Sequence, residues 1–146
     1  MEVAFHFNVS DTTDYTCRWL RKAQSQGARV TVTGPRERLM EIDQQLWALS
    51  ATAFVPHAWS DAPAEVLAAS VIILCESLPH GTPRCDGILL NAWPDVPQAY
   101  AAFDRVVEIV GLSEPDRALA RLRWKTYAQA QNTLTRHDVA QTTSTP

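Results

Sequence analysis

Residues 3–9 read VAFHFNV and residues 28–33 read ARVTVT, and a polar, helix-forming segment separates the two stretches. The first stretch predicts a strand because β-branched and aromatic residues dominate it and a Ser-Asp-Thr-Thr turn sequence follows. A helix capped by Thr13 or Asp14 is expected next, with Gly27 at its end. The second stretch alternates and is rich in Val and Thr, so it predicts a second strand.

A second helix is expected directly after this strand. Gly34 and Pro35 open it, and Leu39, Ile42 and Leu46 then recur at helical spacing. The order strand, helix, strand, helix favours right-handed crossovers between parallel strands. The chain therefore predicts an α/β fold of three layers, with helices on both faces of a mainly parallel sheet.

The rest of the chain predicts three more strands, a loop-rich middle and one long helix. The strands are expected at residues 70–75, 87–92 and 103–110, and the loops at 48–64 and 78–86. In the third of these strands the alternating pattern directs Glu108 to water. The last helix is expected to begin at Ser113 as its cap, with Asp116 three residues later and with Leu119 and Leu122 facing the core.

The length and composition indicate one folded domain. A chain of 146 residues with 46% hydrophobic and 20% charged residues can bury a core without disulfides or metal. We expect a single α/β domain over residues 1–136 and a disordered tail over 137–146, because the tail is polar and small.

The same sequence favours a cytoplasmic protein without a metal or another cofactor. No apolar run approaches the ~18 residues of a membrane span, and the first ten residues, MEVAFHFNVS, lack the basic region of a signal peptide. The three cysteines form no C-x-x-C pair, and the four histidines show no zinc-ligand spacing.

Nucleotide chemistry is not supported by any motif. Gly34, the glycine between a strand and a helix, stands alone, without either the G-x-G-x-x-G or the G-x4-G-K-[ST] pattern. No nucleophile elbow or metal cluster accompanies it, so no catalytic residue is assigned. A small nucleotide-dependent enzyme on the same fold remains an alternative.

A basic face on the last helix is the strongest binding feature of the sequence. At about 100° per residue, Arg117, Arg121, Trp124 and Lys125 fall within roughly 80 to 100° of one another, and Arg123 lies off that face. Guanidinium groups beside an indole suit a peptide end that carries both a carboxylate and an apolar group. Solubility and the helix dipole could equally explain the charges.

A direct nucleic-acid binder is a further alternative for this face. Only one aromatic residue accompanies the cations, and the sequence pI of about 5.7 is low for a domain that follows a phosphate backbone.

Three segments together resemble the chi subunit of the bacterial DNA polymerase III holoenzyme. They are LW at 46–47 with FVPH at 54–57, CDGILLNAWPDVPQAYAAFDRVVEIV at 85–110, and DRALARLRWKTY at 116–127. The order and approximate spacing cover most of the chain. This chain departs from the family pattern after Tyr127, because Ala128 stands where the family has a basic residue.

The resemblance implies a non-catalytic replicase accessory with a Rossmann-like, nucleotide-binding-like fold that lacks a phosphate loop. In this family one surface binds the acidic C-terminal tail of single-stranded-DNA-binding protein, and the DNA is reached only through that protein. The matching residues are Arg121, Trp124 and Lys125 with Val110, and Arg117 shares their helical face.

The resemblance also implies a second surface, which docks the psi subunit or an equivalent clamp-loader component. The matching residues here are Trp47, Phe54 and Pro56.

Overall fold

A computed structural model of the protein describes residues 1–49, 56–78 and 87–142. Within these ranges seven strands form one sheet, and all of its pairings are parallel. The strands are β1 (Glu2–Val9), β2 (Val30–Thr33), β3 (His57–Trp59), β4 (Ile72–Cys75), β5 (Ile88–Asn91), β6 (Arg105–Gly111) and β7 (Thr133–Asp138). Their order across the sheet is β3-β4-β2-β5-β6-β1-β7.

Helices cover both faces of this sheet, which confirms the predicted α/β class. They are α1 (Thr12–Ser25), α2 (Arg36–Leu49), α3 (Ala64–Ala69), α4 (Glu114–Gln129) and α5 (Val139–Thr142), with a 3₁₀ turn at Tyr100–Ala102. One core cluster packs Leu20 of α1 and Ile42 of α2 against the sheet. The other cluster packs Tyr127 of α4 against Phe5 of β1.

The helix ends follow local sequence rules. Asp11, rather than the expected Thr13 or Asp14, caps α1, because its carboxylate accepts a hydrogen bond from the Asp14 N–H at 3.0 Å. Gly27 follows this helix at φ 80°, a conformation that glycine adopts without strain. Ser113 caps α4 as predicted, with its Oγ accepting from the Asp116 N–H at 3.3 Å.

The middle of the chain contains more regular structure than predicted. β3 lies within residues 48–64, where a loop was expected. α3 begins at residue 64, the last residue of that expected loop. β3 is only three residues long and pairs with β4, and this pairing orders a segment whose own pattern is too short to reveal a strand. Residues 50–55, which include Phe54, and 79–86 lie outside the described residues.

The predicted disordered tail is wrong for residues 137–142. His137 and Asp138 complete β7, which pairs in parallel with β1 through His6↔His137 and Phe7↔Asp138. α5 follows and buries Val139. β7 has mostly exposed side chains, so composition does not reveal it. The open edge of β1 supplies the hydrogen-bonding partners that order this segment.

Glu108 is fully buried, with 0% exposure. Its alternating pattern had predicted that this side chain would face water. Its carboxylate accepts hydrogen bonds from the Arg123 Nε at 2.9 Å, the Tyr127 hydroxyl at 2.7 Å and the Asn91 Nδ2 at 2.9 Å. Burial raises the pKa of Glu108, and the three donors oppose that rise. The carboxylate thus joins β6 to β5 and to α4.

This contact also determines which face of α4 is buried. Leu119 and Leu122, expected in the core, are 38% and 60% exposed. Arg123 and Tyr127 point inward instead, and the Arg123 Nη1 also donates to the Pro94 carbonyl at 3.0 Å. A buried carboxylate needs charged and polar partners, and this requirement outweighs the burial of two leucines.

We predict that Arg123→Met lowers the free energy of unfolding by about 3–5 kcal/mol, because it leaves Glu108 buried without its cation. The measurement is urea unfolding followed by circular dichroism. Arg121→Met, two residues earlier on the same helix at an exposed position, is the matched control and should change stability by no more than about 0.5 kcal/mol. Equal effects of the two variants on the free energy of unfolding would contradict the prediction that Arg123 stabilises the fold by pairing with buried Glu108.

His6 of β1 lies among other rings beside α1. Its Nδ1 lies 2.6 Å from the Tyr15 hydroxyl, and its ring centroid is 4.9 Å from that of His137. Burial, followed by the charges of His137 and Arg105, lowers the pKa of His6 from 6.5 to about 4. The folded protein therefore keeps this imidazole neutral where the unfolded chain protonates it.

Because the folded pKa is lowered, the stability from neutral His6 is complete above pH 6.5 and is lost as the pH falls towards about 4. We predict that the melting temperature falls between pH 7 and pH 5 by about 2–4 °C more in the wild type than in His6→Phe, since partial exposure screens the effect. Differential scanning calorimetry at both pH values measures this. An equal fall in both proteins would contradict it.

Candidate functional site

A cavity of about 490 Å³ lies beside α4, between this helix and the strands β1, β6 and β7. We call it the α4 cavity. α4 contributes Arg117, Ala120, Arg121 and Trp124; the strands contribute Phe5, Phe7, Asn8, Val110, Gly111 and Arg136. A Cβ at Gly111 would lie 2.6 Å from Asp116 Oδ2, so a larger residue there would displace the Asp116 carboxylate.

Three guanidinium groups line the α4 cavity among the described residues. The Arg117 Nη2 donates to the Asn8 Oδ1 at 3.0 Å. Arg121 pairs with Glu114 at 3.0 Å, and both side chains are largely exposed. Arg136 lies over the Phe7 ring at 5.2 Å. An exposed ion pair contributes about 0–1 kcal/mol, so Arg121 can exchange Glu114 for another carboxylate at little cost.

The floor of the α4 cavity is apolar. The Trp124 and Phe5 rings meet edge to face with centroids 5.1 Å apart, and Phe5 also contacts Tyr127 at 6.0 Å. Val110 is buried at the end of β6 beside them. These packed rings offer a rigid apolar surface next to the guanidinium groups.

This combination favours one chemical class of ligand. A guanidinium fork binds a carboxylate through two hydrogen bonds, and the neighbouring rings can bury an apolar side chain. The end of a peptide carries both groups on a single residue. A polyphosphate or a nucleic-acid backbone would use the cations but leave the apolar floor without a partner.

The structure brings together four of the five residues expected at the peptide surface. Arg117, Arg121, Trp124 and Val110 all line the α4 cavity. Lys125 is exposed and does not line it. It follows Trp124 by one position, which rotates its side chain about 100° around the helix.

Apart from Val110, sequence reasoning missed the residues that the strands supply. Phe5 and Phe7 lie two apart in β1, so their alternation indicates that they share a face of the sheet, although not which face. Arg136 is the last residue of the expected domain, next to the predicted tail, and is not part of the basic face predicted on the last helix. Asn8 has φ 63°, and no sequence pattern indicates this conformation.

A second group of expected residues lies at the other edge of the sheet, on α2 and β3. The Trp47 side chain is 54% exposed, and its ring centroid is 4.9 Å from that of His57. The His57 Nε2 lies 2.8 Å from the Asp43 Oδ1. Pro56 is half-buried directly before β3. We call Trp47, His57 and Pro56 the Trp47 surface; Phe54 lies outside the described residues.

A second cavity, of about 370 Å³, lies at the carboxyl ends of β5 and β6, where α/β sheets commonly bind nucleotides. Arg38 lines it and donates to the hydroxyls of Thr12 and Thr13 and to Glu41. Arg123 and Asp116 also line it. Arg38 and Arg123 are already paired with Glu41 and Glu108, and the Asp116 carboxylate would repel a phosphate. The cavity therefore does not favour the nucleotide alternative.

Residues 1–49, 56–78 and 87–142 contain no group of three or more His, Cys, Asp or Glu side chains placed to hold a metal ion. In the same ranges no helix combines the length and the apolar character needed to cross a membrane. Cys17 and Cys75 are buried free thiols, and burial raises the pKa of Cys17 to about 12.

Comparison with known proteins gives two matching results. A family model described as DNA polymerase III chi subunit, HolC, matches residues 1–135. The DNA polymerase III subunit chi of Pseudomonas aeruginosa is 30% identical over 114 residues, which are 77% of this chain and 76% of the relative.

Proposed function

Because the chain belongs to the DNA polymerase III chi subunit family, we propose that it binds the acidic C-terminal tail of single-stranded-DNA-binding protein and links it to the clamp loader. The chain is an accessory subunit of the bacterial replicase. In this role it acts by binding rather than by catalysis, in the cytoplasm. DNA is reached indirectly, through the protein whose tail it holds.

The observation that carries the proposal is the composition of the α4 cavity. Arg117, Arg121 and Arg136 surround an apolar floor that includes Phe5 and Trp124. A tail with acidic residues followed by apolar residues and a free carboxylate matches each part in turn. The terminal side chain packs on the floor, and the guanidinium groups bind the carboxylates.

Arg121 is the residue that we assign to the terminal carboxylate. It lies one turn from Trp124, so the carboxylate and side chain of the same terminal residue can reach both. Its partner in the free protein, Glu114, is exposed and readily replaced. The contact is small, and we expect micromolar affinity that falls as salt screens the charges.

The Trp47 surface supports the second half of the proposal, which is attachment to the psi subunit or an equivalent clamp-loader component. Trp47 is a large aromatic group left more than half exposed, and such groups often anchor protein interfaces. Its ring lies against buried His57, which Asp43 holds from the same helix. The contact limits the rotation of Trp47 before a partner binds, and this lowers the entropic cost of association.

We predict that Arg121→Glu weakens binding of an acidic peptide with a free C-terminal aromatic residue by at least about tenfold, because it replaces attraction by repulsion. Isothermal titration calorimetry with free-acid and amidated peptides measures this. Amidation should weaken wild-type binding and have little further effect in the variant.

Arg18→Glu is the matched control, since Arg18 is an equally exposed, ion-paired arginine on α1. It should bind the free-acid peptide as the wild type does. Unchanged affinity of Arg121→Glu, with circular dichroism showing an intact fold, would rule out the proposed peptide site.

We predict that Trp47→Ala abolishes capture of the psi subunit in a pull-down while lowering the melting temperature by no more than about 3 °C, because the side chain is more than half exposed. Leu122→Ala, an exposed apolar truncation on α4 at the other face of the sheet, should retain capture. A fall of about 10 °C with capture retained would instead assign Trp47 a purely structural role.

A further inference from the structure

Asn8 has an unusual backbone conformation at the carboxyl end of β1. Its φ is 63°, in the left-handed region that asparagine tolerates better than most other residues. The register between β1 and β6 shifts between His6 and Val9, on either side of it. This irregularity interrupts the regular ladder, and the Asn8 side chain lines the α4 cavity.

Two hydrogen bonds fix the orientation of the Asn8 amide. Its Nδ2 donates to the Asp138 Oδ1 at 3.0 Å, and its Oδ1 accepts from the Arg117 Nη2 at 3.0 Å. The Asp138 carboxylate can only accept when ionised, so it requires the amide nitrogen on its side. The amide oxygen is then directed towards Arg117.

We propose that Asn8 is a positioning residue that holds the Arg117 guanidinium in place as a preformed anion-binding group of the α4 cavity. This inference rests on the proposed binding of an acidic peptide there. Asn8 acts through Arg117: Asp138 orients the amide, the amide oxygen orders the guanidinium, and the guanidinium binds a peptide carboxylate. The chain of contacts joins β7, β1 and α4.

The two arginines of α4 are prepared for the peptide in different ways. Arg117 is half-buried and its partner is a neutral amide. Arg121 is 64% exposed and pairs with the carboxylate of Glu114, which is 73% exposed. A neutral partner orders Arg117 without neutralising its charge, so the peptide need not displace a competing anion there. Prior ordering of a long side chain removes part of the entropic cost of binding.

The test uses Asn8→Gly, which retains access to positive φ and removes the amide. We expect a weakening of about 3- to 10-fold in the affinity for the free-acid acidic peptide, measured by calorimetry. Gln131→Gly is the matched control, because Gln131 is the other non-glycine residue with positive φ in the described chain, at 64°, and it does not line the cavity. It should bind as the wild type does.

A double-mutant cycle with Arg117→Ala separates positioning from a general structural role. If Asn8 acts through Arg117, Asn8→Gly weakens binding in the wild type and has no further effect in Arg117→Ala. A loss that persists in the Arg117→Ala background would assign Asn8 a direct or purely structural role and overturn the inference. So would an Asn8→Gly protein, or an Arg117→Ala protein, that binds as tightly as the wild type.

The failure of the inference differs from that of the proposed function. If the wild type binds the peptide and Arg121→Glu weakens it while Asn8→Gly does not, only the role of Asn8 is wrong. If the wild type does not bind the peptide, both are wrong.

Discussion

The buried carboxylate of Glu108 imposes the strictest constraint on this fold. A group with no access to water must have its charge and its hydrogen bonds satisfied by the protein. Here Asn91 of β5 and Arg123 and Tyr127 of α4 supply those bonds. Because the partners come from two neighbouring elements, the carboxylate sets both the contact between β5 and β6 and the rotation of α4 above the sheet.

The rotation of α4 has a direct consequence for binding. With Arg123 and Tyr127 directed inward, the adjoining side of the helix carries Arg117, Arg121 and Trp124 towards β1. A helix turned to bury Leu119 and Leu122 would have carried these groups away from the strands. The two leucines are exposed because the contact of Glu108 with Arg123 and Tyr127 sets the rotation of α4. The same rotation forms the α4 cavity.

The two proposed interaction surfaces lie at opposite edges of the sheet. The α4 cavity borders β1 and β7, whereas the Trp47 surface includes β3 at the far edge. Six strand spacings of about 4.8 Å place these edges roughly 29 Å apart. A peptide tail at one edge and a protein partner at the other could therefore bind at the same time, as the proposed linking function requires.

The sequence by itself predicts the α/β class, the first two strands and helices, the Ser113 cap and the basic face of α4. Each of these features arises from contacts within a few residues. Hydrophobic spacing and capping side chains are local properties. The same is true of the relation between Arg117, Arg121 and Trp124, which the helical repeat fixes before any packing occurs. Lys125 shows the limit of that argument, since sharing a broad helical face did not bring it into the cavity.

Long-range contacts determined the remaining features. β7 has a polar, exposed pattern and exists as a strand through its pairing with β1, far away in sequence. The inward orientation of Glu108 required partners 15 to 19 residues away on another element. Asn8 meets Arg117 and Asp138 across separations of 109 and 130 residues. Local sequence patterns cannot predict these contacts, because the free energy of a buried charge or of an open strand edge depends on which distant segments pack against it.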